Sequence, residues 1–418
     1  MTSEAETIGS QSDSFALAAG SLANGLAAYL YVVVGTQALG AANFAPISIL
    51  WTIWSFAAAT LTFPIQHWVI RTVQAEGGER PIRAARITLV TVTITATVFT
   101  LVAGIIWRDR LFGSTGFGFP LLAAVIVMSA GILGLSRGLV AARGRFKAAA
   151  VIVAGENLLR LGAGVAVVLL AGGSLAYGAA LAAGIGIIVF YPSSLSPRDT
   201  GSAGPVSAGR MLAGIAGGTL IAQIILTGPP VLLAALGAEA ATITALFTTA
   251  AVARAPYLIA LGLAIRGNAR LSWLAIHEPD RLTSTTWLIA GVSVIAALIV
   301  GIAAAMIGPT IIEFVFGPST SLPAGPTALV VGASVLALGS LAFMVVLIAR
   351  GRTTRITISW LIAGVLAAAS IALVDSTPLD RATIGFMVAE GAAFVALLVA
   401  ASPWITHTPE HLGGGDNS

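Results

Sequence analysis

The sequence predicts an all-α polytopic membrane protein of about twelve transmembrane helices, and three observations carry that prediction. Of its 418 residues 57% are hydrophobic and only 9% charged, against about 25% charged in soluble domains; the mean hydropathy is +0.97. Apolar runs near the length that spans hydrocarbon recur along the whole chain, and the basic residues fall in short clusters between them. The pI near 9.9 therefore reflects membrane topology and not a nucleic-acid-binding face.

The runs fall at 15–38, 44–70, 87–106, 121–140, 149–170, 175–192, 211–236, 242–265, 285–306, 327–348, 356–373 and 382–405. The first fourteen residues hold no Lys or Arg, whereas a cleavable signal peptide wants a basic start, so the first run reads as a retained helix. Sixteen Lys and Arg fall in the even-to-odd connections, in the groups beginning at Arg71, Arg137, Arg198, Arg266 and Arg350; the opposite connections hold Arg108, Arg110 and Arg381. The positive-inside rule places the sixteen, and both termini, in the cytoplasm.

The connection at 193–210, SSLSPRDTGSAGPVSAGR, is rich in Ser, Gly and Pro and reads as a linker between lobes. It divides the chain into a tail at 1–14, a six-helix lobe at 15–192, the linker, a second lobe at 211–405 and a tail at 406–418. The tetrapeptide Ala-Arg-Gly-Arg at 142–145 recurs at 349–352, in the second cytoplasmic connection of each half. An even helix count per half makes these parallel repeats about an axis along the membrane normal. The 47 glycines, among them Gly134 and Gly138, predict close helix packing. Pro64, Pro256 and Gly228-Pro229-Pro230 mark kinks or breaks, at helix bends or at the lining of a cavity.

The fifth run carries Glu156, Asn157 and Arg160. A charge at the centre of a spanning helix costs about 2.5–3.5 kcal/mol on insertion scales, so such residues face a bundle interior or a water-filled cavity. Glu156 and Arg160, at i and i+4, are also spaced to neutralise each other within the helix. Arg160 lies about 20 Å from the cytoplasmic end of its helix and Arg254, in the other half, about 18 Å. Two arginines at matching depth suit an anionic group held between lobes, because guanidinium forks match phosphate oxygens; alternatively Arg254 pairs with Glu390 of the twelfth helix. Glu390 is also a candidate for a proton or Na⁺. Gln223, Asn24 and Gln37 read as interhelical hydrogen-bonding groups. Gln66, His67 and Arg71 mark the cytoplasmic end of the second helix, as an entrance or as snorkelling residues, and Trp51, Trp54 and Trp68 read as belt or packing aromatics. Glu313 reads as interfacial, outside the ninth helix. His407 and His411 have no third ligand near them, so no metal site is expected.

The chain holds no cysteine, HExxH, P-loop or dinucleotide motif, and no connection longer than about twenty residues. A membrane glycosyltransferase or polymerase would want catalytic carboxylates or histidines on sizeable loops, so an enzyme, a cofactor and a soluble catalytic domain are not expected. The segments SRGLVAARGRFKAAAVIVAGENLLR at 136–160, ARAPYLIALGLAIRGNARL at 253–271 and GPTIIEFVFGPS at 308–319 resemble the oligosaccharide flippases, or polysaccharide biosynthesis membrane proteins, of the multidrug/oligosaccharidyl-lipid/polysaccharide exporter superfamily. The resemblance spans nearly the whole chain. It implies two six-helix lobes around a central cavity that opens alternately to each side. It implies a polyprenyl-diphosphate-linked sugar as cargo, with its diphosphate on Arg160 and Arg254. It also implies a bacterial plasma (inner) membrane, contact with membrane lipids, and polysaccharide-assembly enzymes as partners. The alternative within the superfamily is a proton- or sodium-coupled multidrug antiporter, a branch that tends to place coupling carboxylates in the first lobe; the first helix here has none.

Overall fold

The computed structural model describes residues 11–201, 221–350 and 352–402, and no strand occurs among them. The principal helices are numbered here in chain order: α1 (Gln11–Ala57), α2 (Phe63–Glu76), α3 (Arg86–Ile106), α4 (Gly118–Ala142), α5 (Phe146–Leu169), α6 (Ser174–Ala182), α7 (Pro229–Ala235), α8 (Ala240–His277), α9 (Pro279–Phe316), α10 (Ala324–Ala349), α11 (Thr353–Leu373) and α12 (Pro378–Ala401). Every one of the twelve apolar runs meets helix, although its ends move. The first two runs fall in α1, which is two helices joined across a break at Gly40 (φ 75°, ψ 164°), where a connection is expected; that backbone lies in a region glycine alone tolerates. The second run continues through a π-helical turn, Ala58–Thr62, into α2. The sixth run finishes in a 3₁₀ stretch, Ala183–Phe190. Residues 202–220, which carry the rest of the linker and the start of the seventh run, and the histidines at 407 and 411 lie outside the described residues.

Two packing groups result. In the first half α4 packs on α2, α3 and α6, and α5 on α1 and α6; in the second half α10 packs on α8, α9 and α12, and α12 on α11. The pairs α2–α4, α3–α4 and α4–α6 thus recur six helices later as α8–α10, α9–α10 and α10–α12, as a parallel repeat requires.

The small residues are where helix backbones meet. A Cβ on Gly134 would sit 2.8 Å from the Thr62 carbonyl oxygen, and one on Gly138 would sit 2.8 Å from the Val69 Cβ. Gly138→Val is expected to push α4 off α2 and cost about 1–3 kcal/mol by overpacking, read as a lower unfolding temperature in detergent; an unchanged melt would mean the two helices adjust freely. Of the prolines, Pro64 opens α2 directly after the π-turn, and Gly228 breaks the seventh run so that α7 starts at Pro229. Pro256 stays inside the continuous α8.

Candidate functional site

Ten residues into α5, about 15 Å along its axis, Glu156 is 1% exposed and Arg160 3%. The helical i, i+4 spacing brings the Glu156 Oε1 to the Arg160 Nη2 in an ion pair. The other guanidinium nitrogens are also taken: Nε donates to the Leu181 carbonyl at 2.8 Å and Nη1 to the Asn157 Oδ1 at 2.7 Å. Asn157 in turn donates to the Asn24 Oδ1 at 2.8 Å, tying α5 to α1. The flat face of the guanidinium lies 4.6 Å from the Trp54 ring, a cation–π contact that strengthens as water is excluded. Beside it Tyr31 and Tyr177 exchange bonds, each hydroxyl donating 2.6 Å to the other's carbonyl. Trp51 and Trp54, half-buried, pack against the core and Trp68 is fully buried, so the packing alternative describes all three.

The second oxygen of Glu156 accepts from Arg137 Nη2. Counted among the cytoplasmic connections by sequence, Arg137 belongs to α4, five residues inside its end. The tight turn at Arg143–Arg145 folds α5 back beside α4, and that hairpin was the sequence signal for the contact. The cluster then holds two guanidiniums on one carboxylate.

The second half behaves differently. Glu390 on α12 is fully buried, and neither carboxylate oxygen has a hydrogen-bond partner. Arg254 on α8 is half-buried, with Nε and Nη2 inaccessible and unpartnered. The opposite charges lie near enough to interact, but no hydrogen bond joins them. The hydroxyls of Thr249 and Ser340, on α8 and α10, are likewise buried without partners. Burying polar groups unpaired is costly, and Arg254 and Glu390 carry that cost in the second half. Among the described residues no hydrogen bond, ion pair or ring contact links this region to the Arg160 cluster; each half has its own.

Other expected residues stay apart from both. His67 and Arg71 share an exposed face of α2, one turn apart, beside the half-buried Gln66. Gln223 is half-buried and its carbonyl accepts from Thr227. Glu313 lies inside the last turn of α9 instead of beyond it, exposed, and accepts from Ser321 at 2.9 Å.

Among the described residues, the hydrogen bonds and ring contacts that join the two halves gather toward one end. Gln37 donates to the Val315 carbonyl at 3.0 Å and Thr244 to the Ala41 carbonyl at 2.6 Å. Phe44 and Trp51 lie against Phe247, and Tyr29 against Phe316. Gly40, the start of α8 and the end of α9 all lie at the end opposite the Arg-rich connections, the end that the positive-inside rule expects to be outer.

Solved structures share this architecture. An inward-facing multidrug resistance MATE family transporter of the MOP superfamily aligns with TM-score 0.66 at 14% identity, over 90% of this chain and 93% of that one. The chain has the fold of the MOP-superfamily transporters. An outward-facing MATE family transporter aligns at 0.57, with 14% identity and 93% of each chain covered, below the inward-facing one. The lipid II flippase MurJ, in an inward closed conformation, aligns at 0.60 with 10% identity, over 92% of this chain and 87% of that one. No family model and no curated protein matches the sequence. The protein is a multi-pass membrane protein with the helical fold that its hydropathy predicts.

Proposed function

We propose that this MOP-fold protein is a flippase that moves a polyprenyl-diphosphate-linked oligosaccharide, or a related anionic glycolipid, from the inner to the outer leaflet of a bacterial plasma membrane by alternating access, for cell-surface polysaccharide assembly. One observation carries the reading: Arg254 holds two buried donor nitrogens, Nε and Nη2, with nothing to bond. A guanidinium fork matches paired phosphate oxygens and cannot lose its charge, so an anionic headgroup is the ligand that would complete it. Arg160, whose nitrogens are all engaged, would support the first lobe and leave the headgroup to Arg254. Moving an anion out of a negative interior is favourable by about 2.3 kcal/mol per charge per 100 mV, so a diphosphate needs no separate driving ion.

A second reading rests on Glu390. A carboxylate with two unpartnered oxygens suits a proton or Na⁺, which would make the protein an ion-coupled exporter of small molecules. Mass spectrometry of lipids that co-purify with the protein separates the two. Enrichment of polyprenyl-diphosphate sugars supports the flippase. Their absence, together with efflux of a cationic dye driven by a proton or sodium gradient, supports the antiporter and overturns the first reading.

A further inference from the structure

The first residues of the connection between the lobes dock on the first lobe, although a free linker is expected over all of 193–210. Arg143, in the turn after α4, holds them by donating to the carbonyls of Ser193, at 2.9 Å, and Ser196, at 2.8 Å. Its charge is met by Glu79, in the tight turn after α2 and 4% exposed. That carboxylate receives Arg143 Nε at 2.7 Å and Nη2 at 2.8 Å, together with the Arg198 N–H at 2.6 Å. A bidentate, charge-assisted pair of this kind is among the stronger polar contacts.

The recurring Ala-Arg-Gly-Arg builds a similar turn in the second half, without the acid. The Arg145 N–H closes on the Val140 carbonyl at 3.1 Å, and the Arg352 N–H on the Leu347 carbonyl at 2.8 Å. As Arg143 reaches the segment after the sixth run, Arg350 reaches the end of α12 and donates to the Ala401 carbonyl. Arg355 donates to the Ala400 carbonyl at 3.3 Å. The other partner of Arg350 is a neutral hydroxyl, that of Thr283, at 3.3 Å, and Nη1 of Arg352 is buried with no partner. Among the described residues no ion pair reaches Arg350, Arg352 or Arg355; the Glu278 carboxylate before α9 is taken by Arg281 at 3.0 Å. The first turn of α11 has no side-chain cap and no acidic residue, so its free N–H groups add partial positive charge.

All three guanidiniums are half-buried. Burial first, and then the like charge of Arg352 on Arg350 and of Arg355 on Arg352, hold Arg350 and Arg352 below the usual arginine range. We infer that Arg350, Arg352 and Arg355, with the N-terminus of α11, form a site for a phosphate group at the end of the second lobe that the positive-inside rule expects to be cytoplasmic. A phosphate offers oxygens to more than one guanidinium fork at once, and helix N-termini accept it readily. The exposed apolar face begins beside the turn, at Ile348 on α10 and Ile358 on α11. The turn therefore lies at headgroup depth, where basic residues next to spanning helices attract anionic lipids. An anionic phospholipid and a soluble phosphate share the chemistry the site reads. The site is independent of the cargo read at Arg254.

The full chain in detergent is titrated with phosphatidylglycerol or phosphatidylcholine, and bound lipid is counted by native mass spectrometry. Parallel melts compare inorganic phosphate with chloride at equal ionic strength. Binding of phosphatidylglycerol over phosphatidylcholine, or protection by inorganic phosphate, is expected to fall about fivefold in Arg352→Gln and in Arg355→Gln. Arg281→Gln, which removes an exposed arginine near the start of α9, should leave it unchanged. In chloride Arg352→Gln should melt no lower than wild type, because no protein group bonds its Nη1. A response to phosphatidylglycerol alone assigns the site to a lipid headgroup, and a response to inorganic phosphate assigns it to a soluble phosphate. No response of the wild type to either, a response untouched by both variants, an equal fall in Arg281→Gln, or a lower melt of Arg352→Gln in chloride overturns the site.

Discussion

Glu156→Ala is expected to destabilise the protein by about 3–5 kcal/mol, the range for taking one partner from a buried ion pair. The carboxylate is shared between Arg137 and Arg160, both well inside the first half. Without it two guanidiniums face each other in a region closed to water, and neither can neutralise by losing a proton. Arg137→Met should cost much less, because Glu156 keeps Arg160 and the cluster then balances. A double variant, Glu156→Gln with Arg160→Met, should recover part of the single-variant loss, since it removes one of the two stranded guanidiniums and leaves only Arg137. Thermal unfolding in detergent reads all three. A Glu156→Ala protein within about 0.5 kcal/mol of wild type, the range of ordinary surface changes, would show that the network does not hold the lobe together.

The second large effect concerns Arg254 and is opposite in kind. Its buried Nε and Nη2 make no hydrogen bond in the protein, so Arg254→Ala relieves a desolvated charge and gives up only its attraction to Glu390. If an anionic headgroup completes that guanidinium, retention of a diphosphate-bearing polyprenyl lipid should fall at least tenfold, about 1.4 kcal/mol or more, with no loss of thermal stability. Arg254→Lys should restore only part of it, because an ammonium lacks the planar fork. Arg160→Ala offers the contrast: it breaks three hydrogen bonds and the contact with Trp54, and should lower stability first. Quantified co-purifying lipid alongside melting temperature separates the two arginines. Equal losses of stability in both would mean that Arg254 is as structural as Arg160.

What was legible in the sequence follows from what is local. Helix periodicity brings residues four apart together, so the Glu156–Arg160 pair could be read from spacing alone, and hydropathy located all twelve helical segments. Arg137 was harder, because an arginine near a helix end is equally suited to the headgroups; only the α4–α5 hairpin puts it against Glu156. The connection between the first two runs is legible because glycine and small residues interrupt the apolar signal there, and Gly40 takes a non-helical backbone that separates the two helices. The docked linker was out of reach, because its bonds join Glu79 to Arg143 and Arg198, residues 64 and 119 positions away, and a Ser/Gly/Pro composition says nothing about partners. Arg254 and Glu390 were each noted as buried charges, but their open hydrogen-bonding capacity is a property of packing across α8, α10 and α12.

Leaflet translocation in proteoliposomes tests the central claim most directly. A fluorescent polyprenyl-diphosphate glycolipid is placed in one leaflet and its appearance in the other is followed by quenching from outside, under an imposed potential. The account predicts movement well above protein-free vesicles for the wild type and at least tenfold slower for Arg254→Ala, with Gln223→Ala unchanged. Wild-type vesicles no faster than empty ones, under either sign of the potential, would contradict it.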